Sequence, residues 1–265
     1  MSKNCLLSIK NLTKRFGGLT AVSDFSLSVN DNEIIAIIGP NGSGKTTIFN
    51  LISCYYKADE GDIMFMEKSI KNFSPPRICD IGVGRTFQTT RLFKHLSVIE
   101  NLKVGTHARI RYRLWDELLK TRRLTQAETN VEKAAHDLLE EYGLEKYTHE
   151  IAGNLPYGVQ RMVEILRTLA SSPRLLMLDE PAAGMNPHEA LNLMGIVEQI
   201  RGKNITVLLV EHNMDVVMEI SDRIAVLNYG KKIAEGDAGE IQKNPEVIAA
   251  YLGEDIEDNP VHFQA

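Results

Sequence analysis

Cysteine is scarce in this chain of 265 residues: Cys5, Cys54 and Cys79 are odd in number and far apart. With no CxxC spacing and no Cys/His cluster, neither a disulfide framework nor a zinc site is indicated. Reduced, mostly buried thiols in a reducing compartment are expected. Long apolar runs are missing too, since no stretch approaches the ~18 residues that a membrane-spanning helix needs. The apolar part of the N-terminus, Met1 to Leu7, is too short for a secretion signal. A basic excess is also absent: 30 Lys+Arg stand against 35 Asp+Glu, a net charge of −5. That balance argues against a dedicated nucleic-acid binder. The chain has no internal repeat and no low-complexity tract. The expectation is a cytosolic chain that can dock on something in the membrane.

What is present is an ordinary globular composition, 43% hydrophobic and 25% charged. The length suits one large domain or two lobes with a sizeable core. Leu6–Leu12 and Phe25–Val29 alternate apolar and polar residues, the mark of a half-exposed sheet, with a turn at Phe16-Gly17-Gly18. Later runs at 34–38, 175–178, 205–210 and 224–227 are apolar without alternation, as parallel strands covered on both faces are. Segments 187–201 and 213–220 fit intervening helices. Between about Ser97 and Ala170 helical spacing dominates, and Val131, Ala135, Leu138 and Leu139 share one helix face. The reading is an α/β core with an antiparallel β part at its start. A helical lobe over about 90–170 interrupts it, and the acidic tail after Gly253 is expected to fray.

Residues Gly39-Pro40-Asn41-Gly42-Ser43-Gly44-Lys45-Thr46 fit G-x-x-x-x-G-K-[ST], the Walker A phosphate loop. An apolar strand precedes it, and Thr47–Ile52 continues as a helix. The glycines let the backbone curl so that N–H groups point at phosphate oxygens, and the helix start adds its positive dipole end. Lys45 is expected at the β- and γ-phosphates, and the Thr46 hydroxyl on Mg²⁺. Leu175–Leu178 followed by Asp179-Glu180 is a Walker B pattern. Asp179 is expected to hold Mg²⁺, and Glu180 to orient or deprotonate the attacking water. Adjacent strand residues face opposite ways, so the two carboxylates take different tasks. His212 follows the run 205–210 and can hydrogen-bond a γ-phosphate oxygen, while Gln88 follows Arg85-Thr86-Phe87 in a loop.

Leu155-Pro156-Tyr157-Gly158-Val159-Gln160-Arg161 then opens a helix running to Ala170. Walker A, Gln88, this L-x-x-G-x-Q segment, Asp179-Glu180-Pro181 and His212 stand in the order of ABC-transporter ATPases, which the chain resembles over roughly residues 5–255. Gly84–Gln88, Val98–Leu102, Leu178–Pro187, Glu211–Met214 and Ala249–Gly253 look most like the longer ATPase subunit of branched-chain amino acid (Liv-type) importers. The resemblance implies a P-loop NTPase fold in one ABC ATPase domain. Residues 1–89 and 171–255 would form the nucleotide-binding core, 90–170 the inserted signature subdomain, and 256–265 a flexible tail. It implies ATP and Mg²⁺ as ligands. Phe16 would stack on adenine. Gly39, Pro40, Asn41, Gly42, Ser43, Gly44, Lys45, Thr46, Thr47, Gln88 and Asp179 would face the nucleotide. Tyr157 and Gly158 would close over ATP held by a second, head-to-tail ATPase subunit. Thr46, Gln88 and Asp179 would surround the metal, and Glu180, His212, Lys45 and Gln88 would serve hydrolysis. Permease subunits at the cytoplasmic face of the membrane, and indirectly an extracytoplasmic solute-binding protein, are the implied partners. A urea or amide importer is the alternative within the family. A soluble ABC ATPase of DNA repair or ribosomes is the alternative outside transport, and a module with degenerate catalytic residues is a third.

Several residues depart from the family pattern. Pro156 stands where L-S-G-G-Q has serine, Tyr157 where it has the first glycine, and Val159 where it has glutamine. Asn186 replaces a common aspartate, and its amide is expected to hydrogen-bond across a dimer. The stretch 109–123, with Arg109, Arg111, Arg113, Lys120, Arg122, Arg123 and Trp115, suits either a solvated helix face or a membrane-facing patch. A serine hydroxyl at position 156 would donate a hydrogen bond to a charged phosphate oxygen, worth roughly 1.5–3 kcal/mol, and proline has none to give. Pro156→Ser is therefore expected to raise the rate of ATP hydrolysis in a phosphate-release assay. Modest hydrolysis in isolation is the matching expectation, and an unchanged rate would remove the missing hydroxyl as its cause.

Overall fold

The computed structural model describes residues 4–107 and 122–252. Strands β1 (Cys5–Phe16) and β2 (Leu19–Asn30) pair antiparallel around Gly17 and Gly18, and β1 also pairs with β4 (Glu60–Phe65). With β5 (Lys68–Ser69) they form a four-stranded sheet in the order β2-β1-β4-β5. The second sheet has six strands in the order β10-β9-β3-β8-β7-β6. Its members are β3 (Ile34–Ile38), β6 (Val83–Arg85), β7 (Leu175–Asp179), β8 (Thr206–Val210), β9 (Arg223–Asn228) and β10 (Lys231–Gly236). All neighbours run parallel except β10, which is antiparallel to β9.

Every residue of β3, β7 and β8 is buried, as their apolar runs require, and the polar members Thr206 and Asp179 stand at strand ends. The period-two geometry divides these strands between two apolar clusters. Ile35, Ile37, Met177, Leu208 and Leu227 pack toward the first sheet and helix α1 (Lys45–Ile52). Ile34, Ala36, Ile38, Leu178, Leu209 and Val226 pack toward the helices on the other face. Those helices include α5 (Tyr157–Ala170), α6 (Pro187–Gly202) and α7 (Met214–Ile220). Between β6 and β7 run α3 (Val98–His107), α4 (Arg122–Glu141) and α5, with the short α2 (Pro75–Asp80) just before β6. Val131, Ala135 and Leu139 of α4 are buried and Leu138 packs beside them. Ala135 and Leu139 belong to the same cluster as the sheet, so apolar packing runs unbroken from the parallel strands into the helical segment. Helices α8 (Ala238–Gln242) and α9 (Pro245–Leu252) close the described chain.

The observed β1 and β2 are longer than expected, because β-bulges let the hairpin continue past Leu12. Strands β4, β6 and β10 carry no comparable signal in sequence. β10 is a partly exposed edge strand of mixed polarity, and β6 has only three residues. The cysteines correct an expectation: Cys54 is buried, but Cys5 and Cys79 are exposed. In the basic stretch 109–123, residues 109–121 lie outside the described residues, as does the tail beyond Leu252. No described helix is long and apolar enough to cross a membrane.

Leu209 is fully buried in the middle of the sheet. Leu209→Ala is expected to lower unfolding free energy by about 2–5 kcal/mol, read from the urea midpoint at unchanged slope.

Candidate active site

The phosphate loop bridges β3 and α1. Gly39 has φ +147, and a Cβ there would lie 2.1 Å from the Leu227 carbonyl oxygen. Gly44 has φ +106, and a Cβ there would lie 2.5 Å from the Ala21 carbonyl oxygen. Only glycine combines that backbone with that proximity. The loop is thus wedged between β2 and β9. Gly230 N–H donates to the Ser43 carbonyl at 2.9 Å, and Ser23 N–H donates to the Gly230 carbonyl at 2.8 Å. The Lys45 ammonium is buried and donates to the Gly39 and Pro40 carbonyls at 2.6 and 2.9 Å. Ser43 Oγ is buried with no hydrogen-bond partner among the described residues. Asn41, Gly42 and Thr46 are exposed and Thr47 is half-buried, so the rim of the loop is open to a ligand.

The strand register delivers the remaining groups. Ile37 of β3 and Asp179 of β7 both pair with Val210 of β8, and Arg85 of β6 pairs with Met177. The carboxyl ends of these strands therefore lie side by side, where open α/β sheets bind their ligands. Asp179 is nearly buried and pairs with Arg85 at 3.1 Å. Arg85 also donates to Asn50 Oδ1 at 2.8 Å and Ser53 Oγ at 2.7 Å, which anchors it to the end of α1. Burial pushes the Asp179 carboxyl above the usual carboxylate range, and the Arg85 guanidinium pulls it back down. Burial likewise lowers Arg85, and Asp179 opposes that shift.

Glu180 comes one residue beyond β7 and has a left-handed backbone, φ +46. Its N–H donates to the Val210 carbonyl at 2.8 Å. One carboxylate oxygen accepts from Gln88 Nε2 at 2.8 Å, and His212 Nε2 lies 2.8 Å from the other. Three residues expected at the site thus meet at a single carboxylate. Glu211, part of the Glu211–Met214 segment but given no role from sequence, is buried beside them. Its carboxylate accepts from the Ala182, His212 and Asn213 N–H groups at 2.6, 2.9 and 3.3 Å. It joins the loop after β7 to the loop after β8. Beyond its place beside His212, the signal for it in sequence is a carboxylate closing a largely apolar strand.

Phe16 ends β1, half-exposed, with Tyr56 edge-on at 5.1 Å and Lys14 Nζ 5.3 Å from its ring centroid. Tyr56 belongs to no motif and is not expected there from sequence. Tyr157 and Gly158 begin α5, whose N-cap Pro156 supplies no side-chain hydrogen bond. A Cβ on Gly158 would lie 3.0 Å from Glu189 Oε1, so this segment packs against the start of α6. Asn186 caps α6: its side chain accepts from Glu189 N–H at 3.0 Å, and the Glu189 carboxylate accepts from Asn186 N–H at 3.0 Å. The Asn186 side-chain oxygen thus serves a capping box within the chain.

Known proteins resemble this chain in sequence and in fold. The ABC transporter family profile matches residues 22–183, and that of the branched-chain amino acid ATP-binding cassette transporter matches 231–257. The high-affinity branched-chain amino acid transport ATP-binding protein LivG of Salmonella typhimurium is 45% identical over 250 residues, covering 94% of this chain and 98% of that protein. BraF of Pseudomonas aeruginosa, with the same description, is 43% identical over 250 residues, at 94% and 98% coverage. An ATP-binding cassette of an ABC transporter, solved in its ADP conformation, superimposes with TM-score 0.82 at 36% identity, covering 94% of this chain and 99% of that one. A nucleotide-free cassette gives TM-score 0.81 at 35% identity, at 93% and 98% coverage. With its glycine loop, paired carboxylates and converging Gln88 and His212, the chain belongs to the ABC transporter family as a nucleotide-binding cassette, an ATPase.

Proposed function

We propose that this cassette hydrolyses ATP to power uptake of branched-chain amino acids through a membrane permease. The carrying observation is Glu180, held between Gln88 and His212 where β7 runs out. A carboxylate so placed can accept a proton from a water attacking the γ-phosphate. His212 and Gln88 can contact the γ-phosphate and register its loss. Lys45 donates to the Gly39 and Pro40 carbonyls, and its ammonium would turn to phosphate oxygens when ATP enters. Phe16 supplies a ring face for adenine.

Thr46, Asp179 and the Gln88 side-chain oxygen would hold Mg²⁺. Their oxygen chemistry fits it, and no group of three His, Cys, Asp or Glu among the described residues offers an all-protein cage. When bound, the ion would neutralise charge developing on the β- and γ-phosphate oxygens. The helical segment 90–170 would act as the signature subdomain. Tyr157, at the uncapped start of α5, and Gly158 would close over ATP on the phosphate loop of a second cassette, a paralogue or a second copy. Such a pair would drive permease subunits from the cytoplasmic face of the membrane, with an extracytoplasmic binding protein supplying the solute. The names of the similar proteins and the match over residues 231–257 support branched-chain amino acids as cargo.

Glu180→Gln is expected to lower kcat by at least ~100-fold while ATP affinity stays within a few-fold, with a closed dimer accumulating on gel filtration. Retained turnover would remove Glu180 from the chemistry. With its permease and the solute-binding protein reconstituted in liposomes, ATP hydrolysis is expected to rise with leucine, isoleucine or valine. Stimulation by urea alone would reassign the cargo.

A further inference from the structure

Helix α5 buries a charged pair in the middle of an apolar face. Arg161 is 0% and Glu164 1% exposed, and they pair at 2.7 Å. An apolar replacement for a buried ion pair is often neutral or stabilising, so stability alone is a weak reason for an arginine here. The bonds of the guanidinium give a better one. Its NH2 group donates to the carbonyls of Asp179 at 2.6 Å and Glu180 at 3.0 Å. Its NH1 group donates to the Phe87 carbonyl at 2.5 Å and to Glu164. Its Nε donates to the Pro181 carbonyl at 3.4 Å. A guanidinium has five N–H donors, and these bonds occupy the whole fork. Glu164 accepts the Arg91 N–H at 3.1 Å with its other oxygen. The helix that opens at Tyr157 is therefore tied to the Gln88 loop on both sides, at Phe87 and Arg91. It is also tied to three successive carbonyls around Glu180.

Glu180 is where this matters. Its left-handed backbone costs energy for a residue with a side chain and persists only where the surroundings hold it. The Val210 carbonyl holds its N–H, and its C=O accepts from Arg161 at 3.0 Å and from the Ala183 N–H at 3.2 Å. We infer that Arg161 is a positioning residue for hydrolysis: it sets the backbone that aims Glu180 between Gln88 and His212, and ties that aim to the seating of α5. A movement of α5 against β7 changes the direction of the Glu180 carboxylate through these carbonyls, without touching the phosphate loop. The inference rests on the catalytic role proposed for Glu180.

Arg161→Lys keeps the charge and most of the volume but replaces the planar fork with a single ammonium. In the purified full-length chain it is expected to lower kcat at least tenfold, with the Kd for ATP within threefold and the melting temperature near wild type. Wild-type kcat within twofold in the folded variant would overturn the inference. So would a loss of ATP affinity that matches the loss of kcat in the folded variant, which marks a residue that shapes the whole site. If Arg161→Lys does not fold, Glu164→Gln decides. It keeps the arginine but leaves one oxygen to serve two donors, so kcat should fall at least threefold at constant Kd. Wild-type turnover, or failure to fold here as well, would overturn the inference. Glu180→Gln in parallel separates the two readings. If it still turns over, the role of Glu180 fails; if it is inactive while Arg161→Lys is not, only the role of Arg161 fails.

Discussion

The register of three buried parallel strands governs the rest of the molecule. Ile37, Val210 and Asp179 lie in one row across β3, β8 and β7. Inside that sheet a polar side chain has nowhere to find a partner, so burying one there is costly. Polar groups gather where the strands run out, and the row places those exits side by side. The glycine loop leaves β3, Asp179 and Glu180 leave β7, Glu211 and His212 leave β8, and the Gln88 loop leaves β6. A one-residue slip would exchange the two faces of each strand. Ile34, Ala36 and Ile38 would trade clusters with Ile35 and Ile37, so packing on both faces protects the row.

Charge collected at such an edge must be satisfied locally, and the chain does this in distinct ways. Asp179 has a cation, Arg85, yet burial still wins and raises its carboxyl. A negative charge left costly in this way is one that a further cation nearby would favour. Glu211 is satisfied by three backbone N–H groups, so it works as a brace between two loops. Glu164 takes a guanidinium and a backbone N–H together. Each arrangement fixes a loop shape through backbone groups. The loops that carry Gln88, Glu180 and His212 are thereby shaped by the chain alone.

Much of this is legible in the residue order, for local reasons. The phosphate loop is a contiguous pattern whose glycines are demanded by φ and by neighbouring carbonyls. The buried strands β3, β7 and β8 are apolar apart from Thr206 and Asp179 at strand ends. Helix α4 shows its spacing at Val131, Ala135 and Leu139. What escapes a sequence reading depends on partners distant in the chain. Arg161 reads as one more charge at the end of a motif until Phe87, Asp179 and Glu180 are folded around it. Tyr56 is an anonymous aromatic until β1 brings Phe16 to it. Asn186 suggests a contact for another subunit, although Asn-x-x-Glu ahead of an apolar stretch is itself a local capping signal. The edge strand β10 gains its conformation from β9 and not from its own polar composition.

The divergence of the two Walker B carboxylates has a different cause from the one expected. Alternation along a strand would turn Asp179 and Glu180 to opposite faces, but Glu180 lies past the last residue of β7. Its φ of +46 swings the chain out of the pleat, leaving Asp179 buried against Arg85 while Glu180 meets Gln88 and His212. A pleat needs no help to alternate, whereas a left-handed glutamate must be held. The hydrogen bonds that hold it come from the sheet through Val210, from its own loop through Ala183 and from the helical segment through Arg161. The aim of this carboxylate is accordingly set by the fit between sheet and helical segment as well as by the sheet itself. A fold whose ligand site sits at strand ends thereby makes that site depend on an element inserted between β6 and β7.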